Sequence, residues 1–105
     1  MPVLLVTGPP VDAARRAQVA RALTDAVLVI HDVPPDKVQF FYRAARGMPT
    51  VVVHLVGSPR ANHGPLTHAI RGAALSVLHS RRVRVTVQAY AADHTAKGGA
   101  LRGPR

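Results

Sequence analysis

The sequence lacks several residue types, and each absence excludes a class of chemistry. It has no cysteine, so it can form no disulfide, thiolate metal site or cysteine nucleophile. Its aromatic residues are two Phe and two Tyr, too few for an extended surface on which single-stranded nucleic acid could stack. No apolar run approaches the ~18 residues of a membrane-spanning helix. We therefore expect a cytoplasmic protein without a membrane partner.

The charged residues are almost all of one sign. Twelve Arg and two Lys stand against five Asp and no Glu, which gives a net charge of +9. Such a balance is typical of nucleic-acid-binding proteins, but here the cations are scattered along the chain. A small anionic ligand accounts for the same charge. We therefore expect no nucleic-acid partner and keep a basic nucleic-acid-binding domain as an alternative.

Pro2 directly follows Met1 and opens a short apolar run, residues 2–6. The run has no basic leader, so it predicts a strand and not a signal peptide. If Met1 is removed, Pro2 presents a secondary amine at the amino terminus. An α-amino group titrates at about 7.7–8.0, and burial beside cations lowers that pKa. The amine of Pro2 is therefore a candidate base near neutral pH.

The first half of the chain predicts a strand, a helix and a second strand. The apolar residues 3–6 form the first strand, and the turn Gly8-Pro9-Pro10 ends it. Apolar residues spaced for one helical face indicate a helix over 13–30, with Asp12 as its N-cap. Prolines follow the helix and disfavour its continuation, and residues 38–42 then predict the second strand. A unit of this kind predicts parallel strands.

The second half of the chain repeats this pattern. Residues 51–56 predict a strand, and the turn at 57–60 matches the earlier Gly-Pro turn in position. An apolar stripe over 66–77 predicts a helix that starts near Pro65. Residues 83–90 alternate apolar and polar side chains, as in a half-buried strand.

This duplication defines the predicted domain organisation. A chain of 105 residues predicts one domain. We interpret residues 1–90 as that domain, built from two βαβ units over 2–42 and 49–90. The polar, Gly-rich residues 91–105 predict a loose tail or an arm that contacts a neighbouring chain.

Three segments carry a resemblance to a known family. The start Met1-Pro2, the helix segment ALTDAV (22–27) and the segment VPPDKV (33–38) together resemble the tautomerase superfamily. In length and duplication the chain is more similar to malonate semialdehyde decarboxylase, cis-3-chloroacrylic acid dehalogenase and macrophage migration inhibitory factor than to single-unit 4-oxalocrotonate tautomerase. The resemblance implies an α/β fold with a four-stranded mixed sheet, two helices on one face, and a homotrimer whose active sites lie at subunit contacts.

The resemblance also implies roles for individual residues. Pro2 matches the amino-terminal proline that serves the family as base. Arg60, in the predicted turn after the third strand, resembles a substrate-binding arginine, and Ser58 stands where the decarboxylase has a second one. Arg84 resembles the catalytic arginine of the tautomerase's second strand, which a neighbouring subunit contributes. In the first unit Gln39 stands at that place.

Two further residues are candidates for substrate binding. Thr86 stands where relatives place a polar or tyrosyl side chain from a neighbouring subunit. Asp36 resembles an acidic residue near the second strand of the decarboxylase, one position out of register. The dehalogenase's acidic residue has no clear match beyond Asp93, and Val27 replaces its helix-borne histidine.

The chain contains six histidines, which raises the question of a metal. His63 and His68 are five residues apart, whereas helical neighbours on one face are three or four apart. Few acidic residues are present to complete a ligand shell. We therefore expect neither a metal nor a cofactor.

Proton transfer is the chemistry that this set of residues suits best. An arginine holds a carboxylate by two hydrogen bonds, and a second arginine stabilises charge that develops on an adjacent oxygen. A neutral proline amine then moves a proton. We predict a tautomerase acting on a small 2-oxo or 2-hydroxy unsaturated carboxylate. The alternatives are decarboxylation or hydration of a small acid on the same scaffold, and a trimeric binding protein without catalysis.

Overall fold

The computed structural model of the chain describes residues 2–56, 63–90, 96–97 and 100–101. The main elements in chain order are β1 (Val3–Gly8), α1 (Ala13–Ile30), a 3₁₀ turn (Pro35–Lys37), β2 (Gln39–Ala44), β3 (Thr50–Val56), α2 (His63–Val77) and β4 (Arg84–Tyr90). In the segment predicted as a tail, two short strands, β5 (Ala96–Lys97) and β6 (Ala100–Leu101), pair with each other in antiparallel fashion.

The four long strands form one mixed sheet in the order β2-β1-β3-β4. Each βαβ unit contributes one parallel pair, β1 with β2 and β3 with β4. The two units meet through the antiparallel pair of β1 and β3. The predicted duplicated βαβ architecture and its four-stranded mixed sheet are therefore confirmed.

The antiparallel junction gives the sheet two different ends. At one end, termed the Pro2 end, β1 and β2 begin and β3 and β4 finish. At the other, termed the Arg84 end, β4 begins. Each helix follows a strand and runs back along the sheet, so α1 finishes and α2 begins at the Pro2 end. Residues at the Pro2 end are therefore separated from residues at the Arg84 end by the length of the strands.

The core lies between the helices and one face of the sheet. Alternate residues of β1 and β3 pack there against the apolar stripes of both helices, as period-two and period-3.6 patterns require. The fully buried members of this core include Leu4, Val6, Val51, Val53 and Leu55 from the sheet and Val19, Leu23, Val27, Leu66, Ile70 and Ala74 from the helices. No helix in the described part of the chain is long and apolar enough to cross a bilayer.

The opposite face of the sheet, termed the open face, carries neither α1 nor α2. Its side chains are a mixture of apolar and polar residues. Leu5 and Phe41 are paired neighbours on it, on β1 and β2, and remain 37% and 55% exposed. Apolar side chains of this size lose free energy by staying in water, at roughly 25 cal/mol for each Å². Among the described residues, the open face thus leaves large apolar side chains in contact with water.

Several element boundaries differ from those predicted by one or two residues, and two of these differences have a local reason. Val38 was predicted to begin the second strand, but its amide donates to the carbonyl of Pro35 within the 3₁₀ turn, at 3.2 Å. β2 therefore begins one residue later. α2 begins at His63 and not near Pro65, because proline is tolerated in the first turn of a helix, where its missing N–H has no intrahelical partner.

The internal repeat extends to individual hydrogen bonds. The amide of Gln39 donates to the carbonyl of Pro2 at 3.0 Å, and the amide of Arg84 donates to the carbonyl of Pro49 at 3.0 Å. Pro2 and Pro49 are both buried. Gln39 and Arg84 are thus equivalent positions of the two units, which agrees with the sequence comparison of the two strands.

We expect His79→Gly to stabilise the protein. His79 lies two residues after the end of α2 and has φ at 51°, a left-handed conformation that costs a residue with a Cβ about 1–2 kcal/mol. Glycine avoids this cost but loses about 0.5–1 kcal/mol more backbone entropy on folding, so the net gain is about 0.5–1 kcal/mol. Urea unfolding measures it. His79→Ala is the matched control, because it keeps the Cβ; an equal gain in both variants would contradict the backbone explanation.

Candidate functional site

Pro2 lies buried at the end of the sheet, immediately before β1. The Pro2 nitrogen is a main-chain atom. It therefore lies at this end of the sheet regardless of which face the proline ring packs against. Asp36 is exposed and lies in the 3₁₀ turn that leads into β2. Because β2 begins at the Pro2 end, Asp36 lies at the same end of the sheet as Pro2. The structure therefore brings two of the predicted site residues to one end of the sheet.

Two histidines that the sequence did not single out as functional also lie at the Pro2 end. His31 is the C-cap residue that follows α1, and His63 is the first residue of α2. The Nε2 atoms of both rings are buried, and neither has a hydrogen-bond partner among the described residues. Burial lowers the pKa of His31, and the positive charges of His63 and of the amino terminus lower it further. At neutral pH the ring of His31 is therefore uncharged.

These histidines could not have been found from spacing alone. His31 and His63 are far apart in sequence and on different helices. They become neighbours because the two helices run in opposite directions across the sheet. The signal is their position: each stands at the helix terminus that topology places at the Pro2 end.

We expect protein stability to fall on acidification because of His31. Its folded pKa lies below 6.5, whereas in the unfolded chain it titrates near about 6.5. Between these two values the unfolded chain binds more protons, so the free energy of unfolding rises with pH. The contribution is complete above about pH 6.5 and is lost as the pH falls towards the folded pKa. Urea unfolding from acidic to neutral pH should show a shallower slope in His31→Gln than in wild type and in the exposed control His68→Gln.

Arg84 lies at the opposite end of the sheet from Pro2. It pairs with Thr50, which pairs with Thr7, and Thr7 lies five residues along β1 from Pro2. Strand geometry of about 3.3 Å per residue and about 4.8 Å between strands places the two Cα atoms about 19 Å apart. One chain therefore does not bring Arg84 to Pro2.

Arg84 is the end of a polar row that crosses the open face. The register aligns Arg43, Thr7, Thr50 and Arg84 on four neighbouring strands. Three of these residues also line a shallow cavity of about 370 Å³, together with apolar residues from the centre of the open face. Sequence reasoning missed Arg43, because the pairing of β1 with β3 that aligns it with Arg84 is not readable from either strand alone. The row has two cations, two hydroxyls and no acid, which suits an anion.

The remaining candidates fall on different parts of the chain. Thr86 is exposed on the open face, where it pairs with Val52. Arg60 and Ser58 lie outside the described residues. The elements on either side of them, β3 and α2, finish and begin at the Pro2 end.

The two tyrosines have different surroundings. Tyr42 lies on the helix side of the sheet and donates a hydrogen bond from its hydroxyl to the carbonyl of Pro9, at the Arg84 end. Burial raises the pKa of Tyr42, and the nearby charge of Arg16 partly opposes that rise. A Cβ on Gly8 would lie 2.9 Å from the Tyr42 hydroxyl, so a larger residue there would require the tyrosine ring to shift. Tyr42 is thus a packing residue remote from Pro2, whereas Tyr90 lies on the open face at the Pro2 end.

Solved structures with this arrangement of strands and helices are similar to the chain. An asymmetric trimer of wild-type fused 4-oxalocrotonate tautomerase matches with a TM-score of 0.83 and 19% identity, over 95% of both chains. A protein inactivated by 2-oxo-3-pentynoate matches with a TM-score of 0.80 and 14% identity, over 95% of both chains. A member of the cis-3-chloroacrylic acid dehalogenase family matches with a TM-score of 0.77 and 19% identity, over 95% of this chain and 82% of the other.

No protein-family model and no curated protein sequence matches the chain. Sequence identities below a quarter to the solved structures show the fold and not the reaction. The predicted resemblance is therefore confirmed at the level of fold: the chain has the fold of the tautomerase superfamily, in its duplicated form.

Proposed function

We propose that this protein is a tautomerase that moves a proton on a small 2-oxo or 2-hydroxy unsaturated carboxylate, with the amine of Pro2 as base. The observation that carries the proposal is the surroundings of Pro2. It is buried immediately before a core strand, at the end of the sheet where α1 finishes beside His31 and α2 begins at His63. Low polarity favours the neutral form of an amine, and a neutral amine is the form that accepts a proton.

The cations for the substrate carboxylate come from two places in this proposal. Arg60 belongs to the connection between β3 and α2, and these two elements finish and begin at the Pro2 end. Arg84 lies at the Arg84 end, so it can approach only the Pro2 of another chain. Arg84 would stabilise charge on the substrate oxygen, and Thr86 and Asp36 would contact the rest of the substrate.

A shared site of this kind requires that the Arg84 end of one chain meets the Pro2 end of the next. Such a head-to-tail contact closes into a ring when its rotation permits. A homotrimer with three sites is the ring that we propose. It would also cover apolar side chains of the open face, including Leu5 and Phe41. The fused 4-oxalocrotonate tautomerases among the similar structures are trimers.

The proposal predicts that two inactive variants restore activity to each other. Pro2→Ala lacks the base and Arg84→Ala lacks the shared cation, but a mixed trimer contains sites with Pro2 from one chain and Arg84 from the other. Random mixing makes roughly a quarter of the sites complete. Co-expressed chains should therefore recover roughly a quarter of wild-type turnover of a phenylpyruvate-type enol, whereas separately purified variants stay inactive.

The control for this experiment is a chain that carries both substitutions. When this double variant is mixed with wild type, the activity of the wild type should fall by dilution. When it is mixed with either single variant, no activity should return. Sedimentation should give the mass of a trimer for every sample. A monomer at micromolar concentration, or a mixture no more active than its parts, would show that Pro2 and Arg84 do not share a site.

A further inference from the structure

A polar cluster lies on the open face at the Pro2 end and has no part in the function proposed above. The ring of His54 stacks on the ring of Tyr90, with centroids 5.7 Å apart and an angle of 13° between the planes. Nδ1 of His54 lies 3.1 Å from the Tyr90 hydroxyl. That hydroxyl lies 3.0 Å from Oε1 of Gln88. The three side chains form one hydrogen-bonded chain.

The hydrogen bonds of this cluster determine which nitrogen of His54 carries the proton. Oε1 of Gln88 can only accept, so the single hydroxyl proton of Tyr90 is donated to it. The Tyr90 oxygen is then an acceptor for Nδ1 of His54, which must carry a hydrogen. In the neutral imidazole this leaves a lone pair on Nε2. Tyr90 and Gln88 thus hold His54 as a base at Nε2.

The strand register places His54 beside the proposed base. His54 pairs with Val3, the residue that follows Pro2. Antiparallel partners are about 5 Å apart and successive residues about 3.4 Å, so the Cα atoms of His54 and Pro2 are about 6 Å apart. At this separation the two residues lie side by side at the Pro2 end. His54 and Pro2 belong to the same chain, so their juxtaposition does not depend on the assembly.

We propose that His54 is a second proton-transfer residue of the site, with Tyr90 as its positioning residue; the proposal rests on the proposed function. In the conversion of ketone to enol, the neutral Pro2 amine takes a proton from the carbon next to the carbonyl, the electrons of that C–H bond form the C=C bond, and the carbonyl oxygen takes a proton from the protonated Nε2 of His54. Conversion of enol to ketone is the reverse: the enol proton passes to the lone pair of Nε2, the oxygen electrons form the C=O bond, and the C=C electrons take the proton that Pro2 had accepted. The substrate gains and loses one proton in either direction, and exchange with water returns both enzyme groups to their starting states.

Two substitutions of His54 test its chemical role. His54→Gln places an amide nitrogen near the position of Nε2, and His54→Asn places one near Nδ1, but neither amide is a base. We expect both to lower kcat by about 10²-fold, the usual scale for a proton-transfer group. The exposed histidine variant His68→Gln should keep wild-type kcat. Near-wild-type kcat in both His54 variants, with Pro2→Ala inactive, would overturn the role of His54 and leave the proposed function intact.

Tyr90→Phe tests the positioning role separately from packing. The phenyl ring retains the stack but not the hydroxyl, and losing one hydrogen bond should lower kcat roughly two- to tenfold. Nitrogen-15 NMR of the imidazole should show the Nδ1–H tautomer in wild type and a mixture of tautomers in Tyr90→Phe. An unchanged tautomer ratio would contradict the positioning role.

A binding measurement keeps the proposal testable if wild type converts no enol supplied to it. Phenylpyruvate added to saturation should move the nitrogen-15 resonance of His54 Nε2, and not that of His68. This result supports contact between His54 and the anion even without turnover, in which case the proposed reaction alone fails. No movement of the His54 resonance at saturation would overturn the inference whatever the activity.

Discussion

Replacement of Pro2 by alanine should lower turnover of a phenylpyruvate-type enol by about 10²-fold or more, the scale of a lost general base. Pro2→Ala keeps an amino-terminal amine, but a primary one on a residue that no longer fills the buried position before β1. The loss should therefore fall mainly on kcat. Both kcat and KM are obtained from initial rates at several enol concentrations.

Pro49→Ala is the matched control for this substitution. Pro49 is buried, and its carbonyl accepts a hydrogen bond from the amide of Arg84, as the carbonyl of Pro2 does from the amide of Gln39. Its nitrogen is inside the chain and has no proton chemistry, so the variant should lose stability without a comparable loss of kcat. Equal kcat values for wild type and Pro2→Ala would remove Pro2 from the mechanism.

Replacement of Arg84 and replacement of Arg60 should change different kinetic parameters. Arg84 is fixed on a strand and suits a preorganised transition-state role, so Arg84→Ala should lower kcat and kcat/KM together. In the proposed mechanism Arg60 binds the substrate carboxylate in the ground state, so Arg60→Ala should mainly raise KM. Each lost charge-assisted contact is worth about 1.5–3 kcal/mol, or roughly ten- to a hundredfold.

Arg71→Ala serves as the control for charge alone. Arg71 is an exposed cation of α2, and its loss changes the net charge by the same amount without removing a proposed contact. It should leave kcat and KM near wild type. Unchanged kinetics in Arg60→Ala and Arg84→Ala, with unchanged inhibition by small carboxylates, would mean that the roles implied by the resemblance do not apply to this chain.

Much of the fold could be predicted from the sequence because its patterns are local. The helix over 13–30 with Asp12 as N-cap is confirmed, and the Asp12 side chain accepts from the amide of Arg15 at 2.7 Å. The alternation over 83–90 likewise predicted β4, with Val85 and Val87 towards the core. The repeated order of elements was enough to predict two βαβ units in one mixed sheet.

The arrangement of the candidate site was less accessible, because it depends on pairings between distant segments. The register of β1 against β3 aligns Arg43 with Arg84 and places His54 beside Val3. No local pattern encodes that register. The opposite directions of the helices, which bring His31 to His63, follow only once the topology is known. The roles of Pro2, Arg60, Arg84, Thr86 and Asp36 stay predictions.

Labelling with 2-oxo-3-pentynoate, followed by mass spectrometry, tests the role of Pro2 most directly. A neutral Pro2 amine should add through its lone pair to the electron-poor alkyne carbon. We predict that the purified protein lacks Met1, gains the mass of one reagent per chain on Pro2, and loses activity in step with labelling. Protein that retains Met1, or that is labelled at other residues while Pro2 stays unmodified, would contradict the assignment of Pro2 as the base.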